Sequence, residues 1–171
     1  MNLRDFSILF FIISILTVIS ACQKEKAATT ELKIHLTDNP FNASEVNVDI
    51  REVRVNFRDD STGWISLATN AGIYNLLGFQ NGIDTVLAQG IVPLSTLKEV
   101  RFVLGSNNSI KIDTSLYPLT IPSGSESGLK IKMNKQLNAT LDSLVIDFDA
   151  ALSIMQTGNS EYKLKPVLKI K

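Results

Sequence analysis

From residue 31 onward apolar and polar residues alternate with period two, the mark of strands buried on one face. Leu32, Ile34 and Leu36 share one face of the first run, and Lys33, His35 and Thr37 the other. Asp38-Asn39-Pro40 stops it, because proline has no N–H for a ladder and Asp and Asn favour turns. Val46, Val48 and Ile50 alternate next, as do Val53, Val55 and Phe57, but the two sets fall out of phase across Arg51-Glu52. One extra residue there, in a bulge or a change of strand, returns both sets to one face. Asp59-Asp60-Ser61-Thr62-Gly63 then predicts a hairpin turn into Trp64-Ile65-Ser66-Leu67.

Further short apolar runs occupy 73–77, 85–88, 98–104, 109–113 and 119–121, with turn signals at Asn81-Gly82, Gly90, Gly105-Ser106-Asn107-Asn108 and Ser123-Gly124. Leu129, Ile131 and Met133 alternate, then Leu144, Ile146 and Phe148, and the chain closes on 162–170. Helical spacing is confined to 95–99 and 150–155, too short for helices that stand by themselves. The pattern predicts an all-β domain over 31–171, a single antiparallel β-sandwich of Ig-like or prealbumin-like type. Its expected core contains Leu32, Ile34, Val48, Val55, Phe102, Ile131, Ile146 and Phe148.

The chain ahead of this domain follows a different logic. Residues 6–19 are apolar apart from Ser7, Ser14 and Thr17, and Arg4 precedes them beside Asp5. The run is short for a membrane span and has the length of a signal-peptide core. It ends in Ile19-Ser20-Ala21-Cys22, which resembles the lipobox of bacterial lipoproteins, whose cysteine receives diacylglycerol. Cys22 is the one cysteine of the chain, so neither a disulfide nor a cysteine metal cluster competes for it. The expected organisation is a signal peptide over 1–21, a lipidated cysteine and flexible tether over 22–30, and the sandwich from 31. Diacylglycerol with a further palmitate-type chain on Cys22 would hold the protein stably on the lipid bilayer, since one acyl chain alone binds only marginally. The charged stretch Gln23-Lys24-Glu25-Lys26 resembles signals that send some lipoproteins to the outer face of the outer membrane. The expected location is thus the cell envelope, lipid-anchored to the outer membrane, on its periplasmic or its exposed side.

Charge narrows the partners. Lys plus Arg and Asp plus Glu each number 17, with no basic block, which sets nucleic acid aside.

Several motifs occur in a fixed order along 30–171: Thr37-Asp38-Asn39-Pro40, the 46–55 strand, Gly63-Trp64, Tyr74-Asn75-Leu76-Leu77 and Arg101-Phe102-Val103-Leu104. Pro122-Ser123-Gly124 with Gly128-Leu129-Lys130, Asp147-Phe148-Asp149 and Leu164-Lys165-Pro166-Val167 complete the series. Together they resemble the bacterial domain of unknown function 4382, a family of envelope lipoproteins and exported proteins. The resemblance implies export and a β-sandwich, and it carries over no catalytic residue.

The inventory of chemistry is thin. His35, the one histidine, lies mid-strand and is expected to face solvent, without a Gly-x-Ser-x-Gly elbow or similar nucleophile context. One histidine and one lipidated cysteine cannot supply a zinc site. Asp147 and Asp149 flank an inward Phe148 and should point outward together, about 7 Å apart, a possible start for calcium or for acid/base chemistry and otherwise a plain solvent-facing or hydrogen-bonded strand pair. Trp64 and Tyr74 are the aromatic candidates for stacking on sugar rings, with burial as the alternative. Residues 122–128 form either a binding loop or a turn. No cofactor is expected. The function these residues favour is a non-enzymatic envelope lipoprotein that binds a polysaccharide or an envelope protein. A structural subunit of an envelope complex and a periplasmic or surface hydrolase are the alternatives.

Overall fold

The structure is a computed structural model that describes residues 28–171 apart from Ser61, residues 123–128 and Asn159. The signal peptide, Cys22, the tether up to residue 27 and the 123–128 stretch of the expected loop lie outside the described residues. What is described is an all-β sandwich of two open sheets.

The smaller sheet has the order β14 (Leu168–Ile170), β11 (Leu141–Phe148), β1 (Thr29–Thr37), β6 (Thr85–Pro93) and β4 (Ala68–Thr69). The larger runs β10 (Leu129–Gln136), β7 (Thr96–Leu104), β2 (Glu45–Asn56), β8 (Ser109–Ile112), β9 (Ser115–Thr120), β13 (Glu161–Leu164) and β12 (Ile154–Gly158). Two short strands, β3 (Trp64–Ser66) and β5 (Gly72–Asn75), also pair with β2. Leu32, Ile34, Val48, Val55, Phe102, Ile146 and Phe148 are fully buried. Ile131, the remaining expected core residue, is partly buried because β10 is an edge strand with one neighbour.

The phase slip at Arg51-Glu52 is a bulge within one long strand. The β2–β7 ladder shifts register between Ile50 and Glu52, so Val46, Val48 and Ile50 on one side and Val53 and Val55 on the other all enter the core. The bulge also divides the partners of β2: β5 and β8 pair before it, β3 after it, and β7 from Ile50 to Asn56.

The structure corrects several sequence expectations. The sandwich is mixed: β1 lies parallel to β11, Leu32 opposite Asp142 and Leu36 opposite Ile146, and β13 lies parallel to β9. Period two is the same for both pairings, so the sequence could not separate them. Gly90 is not a turn but sits in β6 opposite Leu32, where a Cβ would come within 3.1 Å of Leu67 Cδ2. Most of the 95–99 stretch joins β7, whereas α1 (Ala150–Ser153) is one helical turn before β12. The last expected tether residues, Thr29 and Thr30, already pair with Pro93 and Val92, and Leu94 N–H donates to the Ala28 carbonyl at 2.8 Å.

Candidate functional site

Trp64 is placed by the hairpin after β2. Asn56 Nδ2 donates to the Asp60 carbonyl at 2.6 Å, Arg58 N–H donates to Asn56 Oδ1 at 3.0 Å, and Gly63 passes where a Cβ would stand 2.7 Å from Asn56 Oδ1. Trp64 then pairs with Asn56 and Ser66 with Arg54. On the far side of β2, Arg54 is opposite Arg101, and Arg101 is opposite Lys130. Their neighbours Val53, Val55, Val100 and Phe102 fill the core, so Arg54, Arg101 and Lys130 emerge on the outer face in one row.

Arg101 crosses β2 to lie over the indole, its Cζ 4.1 Å from the ring centroid, and Lys130 Nζ lies 5.8 Å from the same centroid. One ring face that the sequence offered to sugars is therefore covered by a guanidinium. Arg54 is paired with Glu52 at 2.5 Å, and Glu52 also accepts from Ser66 Oγ at 2.5 Å. These contacts hold the Glu52 carboxyl below its ordinary range, the Arg54 bond most of all. Among the described residues no carboxylate stands within 4.0 Å of Arg101 or Lys130. Trp64 Nε1 and the Nε of both Arg54 and Arg101 are buried with no acceptor. One row further along the strands a cleft of about 260 Å³ opens between Arg58, Asp59, Lys98, Glu99, Lys132 and Asn134. Sequence reasoning found Trp64 and missed Arg101 and Lys130. Their signal is an outward basic residue between core residues in each of two runs that the chain order leaves unpaired.

Tyr74 does not join this face. It pairs with buried Val48, packs on Phe79 with ring centroids 6.1 Å apart, and donates its hydroxyl to the Asn70 carbonyl. Burial pushes its phenol pKa up. Val48 and Asn56 are eight residues apart on β2, so Tyr74 and Trp64 are separated by roughly 25 Å along the strand. Tyr74 belongs to the rim of the core, on the opposite face from Trp64.

Asp147 and Asp149 are buried, at 1% and 4% exposure, where outward carboxylates were expected. The end of β11 is enclosed by β1 and β14, and the turn after β1 closes over it. Asp149 caps α1 by accepting from Leu152 N–H at 3.0 Å and takes Lys169 Nζ at 2.5 Å. Asp147 Oδ2 accepts from Asn39 Nδ2 at 2.5 Å with Lys171 Nζ at 3.7 Å, while its Oδ1 is buried without a partner. Asp38 completes the corner, accepting from Ala150 N–H at 3.0 Å and Gln80 Nε2 at 3.3 Å. Burial raises the pKa of Asp38 and Asp147, the Asp149 charge adding to the effect on Asp147. For Asp149 burial is outweighed by Lys169 and the Leu152 N–H, which leave it below its ordinary value. Asn39, two lysines and a helix turn thus engage three of the four oxygens proposed for calcium, and Asp147 Oδ1 is the fourth. No group of three His, Cys, Asp or Glu stands in metal-binding geometry among the described residues.

His35 is partly buried, its Nδ1 2.6 Å from Asp84 Oδ1, where a solvent-facing strand residue was expected. A groove of about 460 Å³ runs between Gly105, Ser106 and Asn108 on one side and Pro118, Thr120 and Ile121 on the other. Among the described residues no charged side chain lines it. Its wall is built by buried Asp49, whose Oδ2 accepts from Arg51 Nη2 at 2.7 Å with Arg51 Nε 2.7 Å from Oδ1, and whose carbonyl accepts Gly105 N–H at 2.8 Å.

A family model described as a domain of unknown function, DUF4382, matches residues 29–166. No curated protein matches the chain, and no solved structure does.

Proposed function

The chain belongs to the DUF4382 family, and on that footing we propose that it is a non-enzymatic lipoprotein of the cell envelope, acylated on Cys22, whose sandwich binds a polysaccharide. The observation that carries the binding half is the open sheet face around Trp64, where Arg101 and Lys130, which meet no carboxylate among the described residues, lie beside an anchored aromatic. Polysaccharide recognition needs such a face on a rigid scaffold and no reacting group. A hydrolase would need a nucleophile, a tuned base and a stabiliser of developing charge. His35 is committed to Asp84, and the buried aspartates are committed to lysines, a helix cap and backbone N–H groups. Support for the lipoprotein half is the Ile19-Ser20-Ala21-Cys22 pattern behind an apolar run. Six residues would remain between Cys22 and Thr29, a tether of at most about 20 Å, which keeps the domain near the bilayer.

Two measurements test the proposal. Mass spectrometry of the membrane-extracted protein is expected to find Cys22 as a diacylglyceryl or triacyl N-terminus, with Cys22→Ala moving the protein to the soluble fraction. A glycan array run beside an affinity pull-down from intact cells is expected to return polysaccharides. Capture of one envelope protein with no glycan retained would replace polysaccharide binding by a structural role. Turnover of a polymer, lost on changing one carboxylate while folding is intact, would make the protein an enzyme.

A further inference from the structure

We propose that the outer face of β2, β7 and β10 takes an acidic polysaccharide, with Arg101 and Lys130 binding its carboxylate or sulfate groups. The inference rests on the glycan-binding reading and adds the class of glycan. It starts from the row Arg54, Arg101, Lys130, set directly opposite one another across three adjacent strands. Each step of that row is about 4.8 Å between strands, and like charges directly opposite destabilise a sheet. The chain as a whole balances its charges at 17 and 17, so the row does not follow from a general basic excess. Glu52 neutralises Arg54 alone. Arg101 and Lys130 are left on the outer face with no carboxylate among the described residues within 4.0 Å.

The geometry around Arg101 then selects the ligand. With its Cζ 4.1 Å from the indole centroid the Arg101 guanidinium is held in place, and its Nη groups, which no hydrogen bond among the described residues engages, are the donors it can offer to an oxyanion. A neutral sugar would want an open aromatic face, which Arg101 covers. Lys132 continues the row two residues beyond Lys130, about 7 Å along β10, beside the neighbouring cleft, where Lys98 is paired with Asp59 at 3.6 Å and Glu99 stands opposite Lys132. Cations spread over that distance suit a polymer with repeated charges better than one small anion.

The test uses full-length protein extracted in non-ionic detergent, titrated with polygalacturonate, dextran sulfate and neutral dextran. At least one acidic polymer is expected to bind, which of the two distinguishing carboxylate from sulfate, while dextran does not. Affinity should fall as salt is raised. Arg101→Gln is expected to weaken binding about tenfold, the scale of one charge-assisted contact, and Lys130→Gln several-fold. Arg101→Lys should lose a part of the affinity although charge is kept, and Lys163→Gln, on β13 at the far end of the sheet, should change nothing. Thermal melts of each variant establish that it is folded. Absence of acidic-polymer binding, or binding that Arg101→Gln and Lys130→Gln leave intact, overturns the inference. Should dextran bind undiminished in Arg101→Gln, the acidic class fails and the glycan-binding reading stands. If no polysaccharide is retained on the array or in titration, both fail.

Discussion

Asp38, Asp147 and Asp149 share one buried corner, yet their surroundings push them in opposite directions. Asp149 has its pKa lowered in the fold, so it stabilises when ionised; that contribution is present above the unfolded value and is lost as pH falls through the folded one. Asp38 and Asp147 are raised, so the folded chain holds their protons more tightly than the unfolded chain does. Keeping them ionised at neutral pH costs stability, and the cost disappears as pH falls towards the unfolded value. Asp147→Asn keeps an oxygen for Asn39 Nδ2 and removes a buried charge. Urea unfolding at about pH 7 should find this variant as stable as the parent or more so, with the gain shrinking towards about pH 4. A clear loss at neutral pH would mean that Lys171, 3.7 Å away, outweighs burial. Asp149→Ala should instead cost about 0.5–2 kcal/mol through the lost cap of α1. These roles were hidden in the sequence because Asp-Phe-Asp alternation reports which residues share a face. It does not report whether loops close over that face.

At the scale of the elements, the turn between β7 and β8 depends on one glycine. A Cβ at Gly105 would collide with the Asp49 carboxylate and stand 2.6 Å from Arg51 Nε, at a point where Gly105 N–H also bonds the Asp49 carbonyl. The carboxylate is buried and held by Arg51, so it has no free rotamer to retreat to. Gly105→Ala is expected to destabilise by about 1–3 kcal/mol, the cost of overpacking a filled site, read as a lower urea midpoint. Gly90→Ala, where the nearest atom at 3.1 Å is the end of a leucine side chain, should cost less. Both glycines carried the same turn signal in the sequence, and only one is a turn. The phase slip of β2, by contrast, was legible, because two in-phase triplets offset by one residue call for a bulge or a change of strand, and the structure takes the bulge. The hairpin into β3 was legible for a related reason, its turn residues being local. The parallel pairing of β1 with β11 was not, since its partners are 110 residues apart and period two is silent on direction. The basic row proposed to bind was hidden on the same ground: Arg54, Arg101 and Lys130 come from three separate runs, and they meet only through the strand order.

For the whole molecule the position of β1 decides where the domain begins. It is the middle strand of the smaller sheet, with β11 on one side and β6 on the other, so its first residues are ladder residues and not linker. Thr30 is buried and pairs with Val92, Thr29 pairs with Pro93, and Ala28 accepts the Leu94 N–H at 2.8 Å. Alternation became readable only at residue 31, because Thr29 and Thr30 are polar and look like tether. A chain that starts at Glu31 leaves the Leu94 N–H and the end of β6 without partners, whereas one that starts at Ala28 keeps them. Each hydrogen bond that stabilises the fold contributes about 0.5–1.5 kcal/mol net, so the shorter chain should be weaker by about 1–3 kcal/mol. Paired urea titrations of the two chains measure the difference, and equal midpoints would return 28–30 to the tether. Since Thr29 is also where the proposed six-residue link to the acylated Cys22 would end, the same result fixes how far the sheet can stand off the bilayer. A sheet that begins at Thr29 leaves that link at most about 20 Å of extended chain.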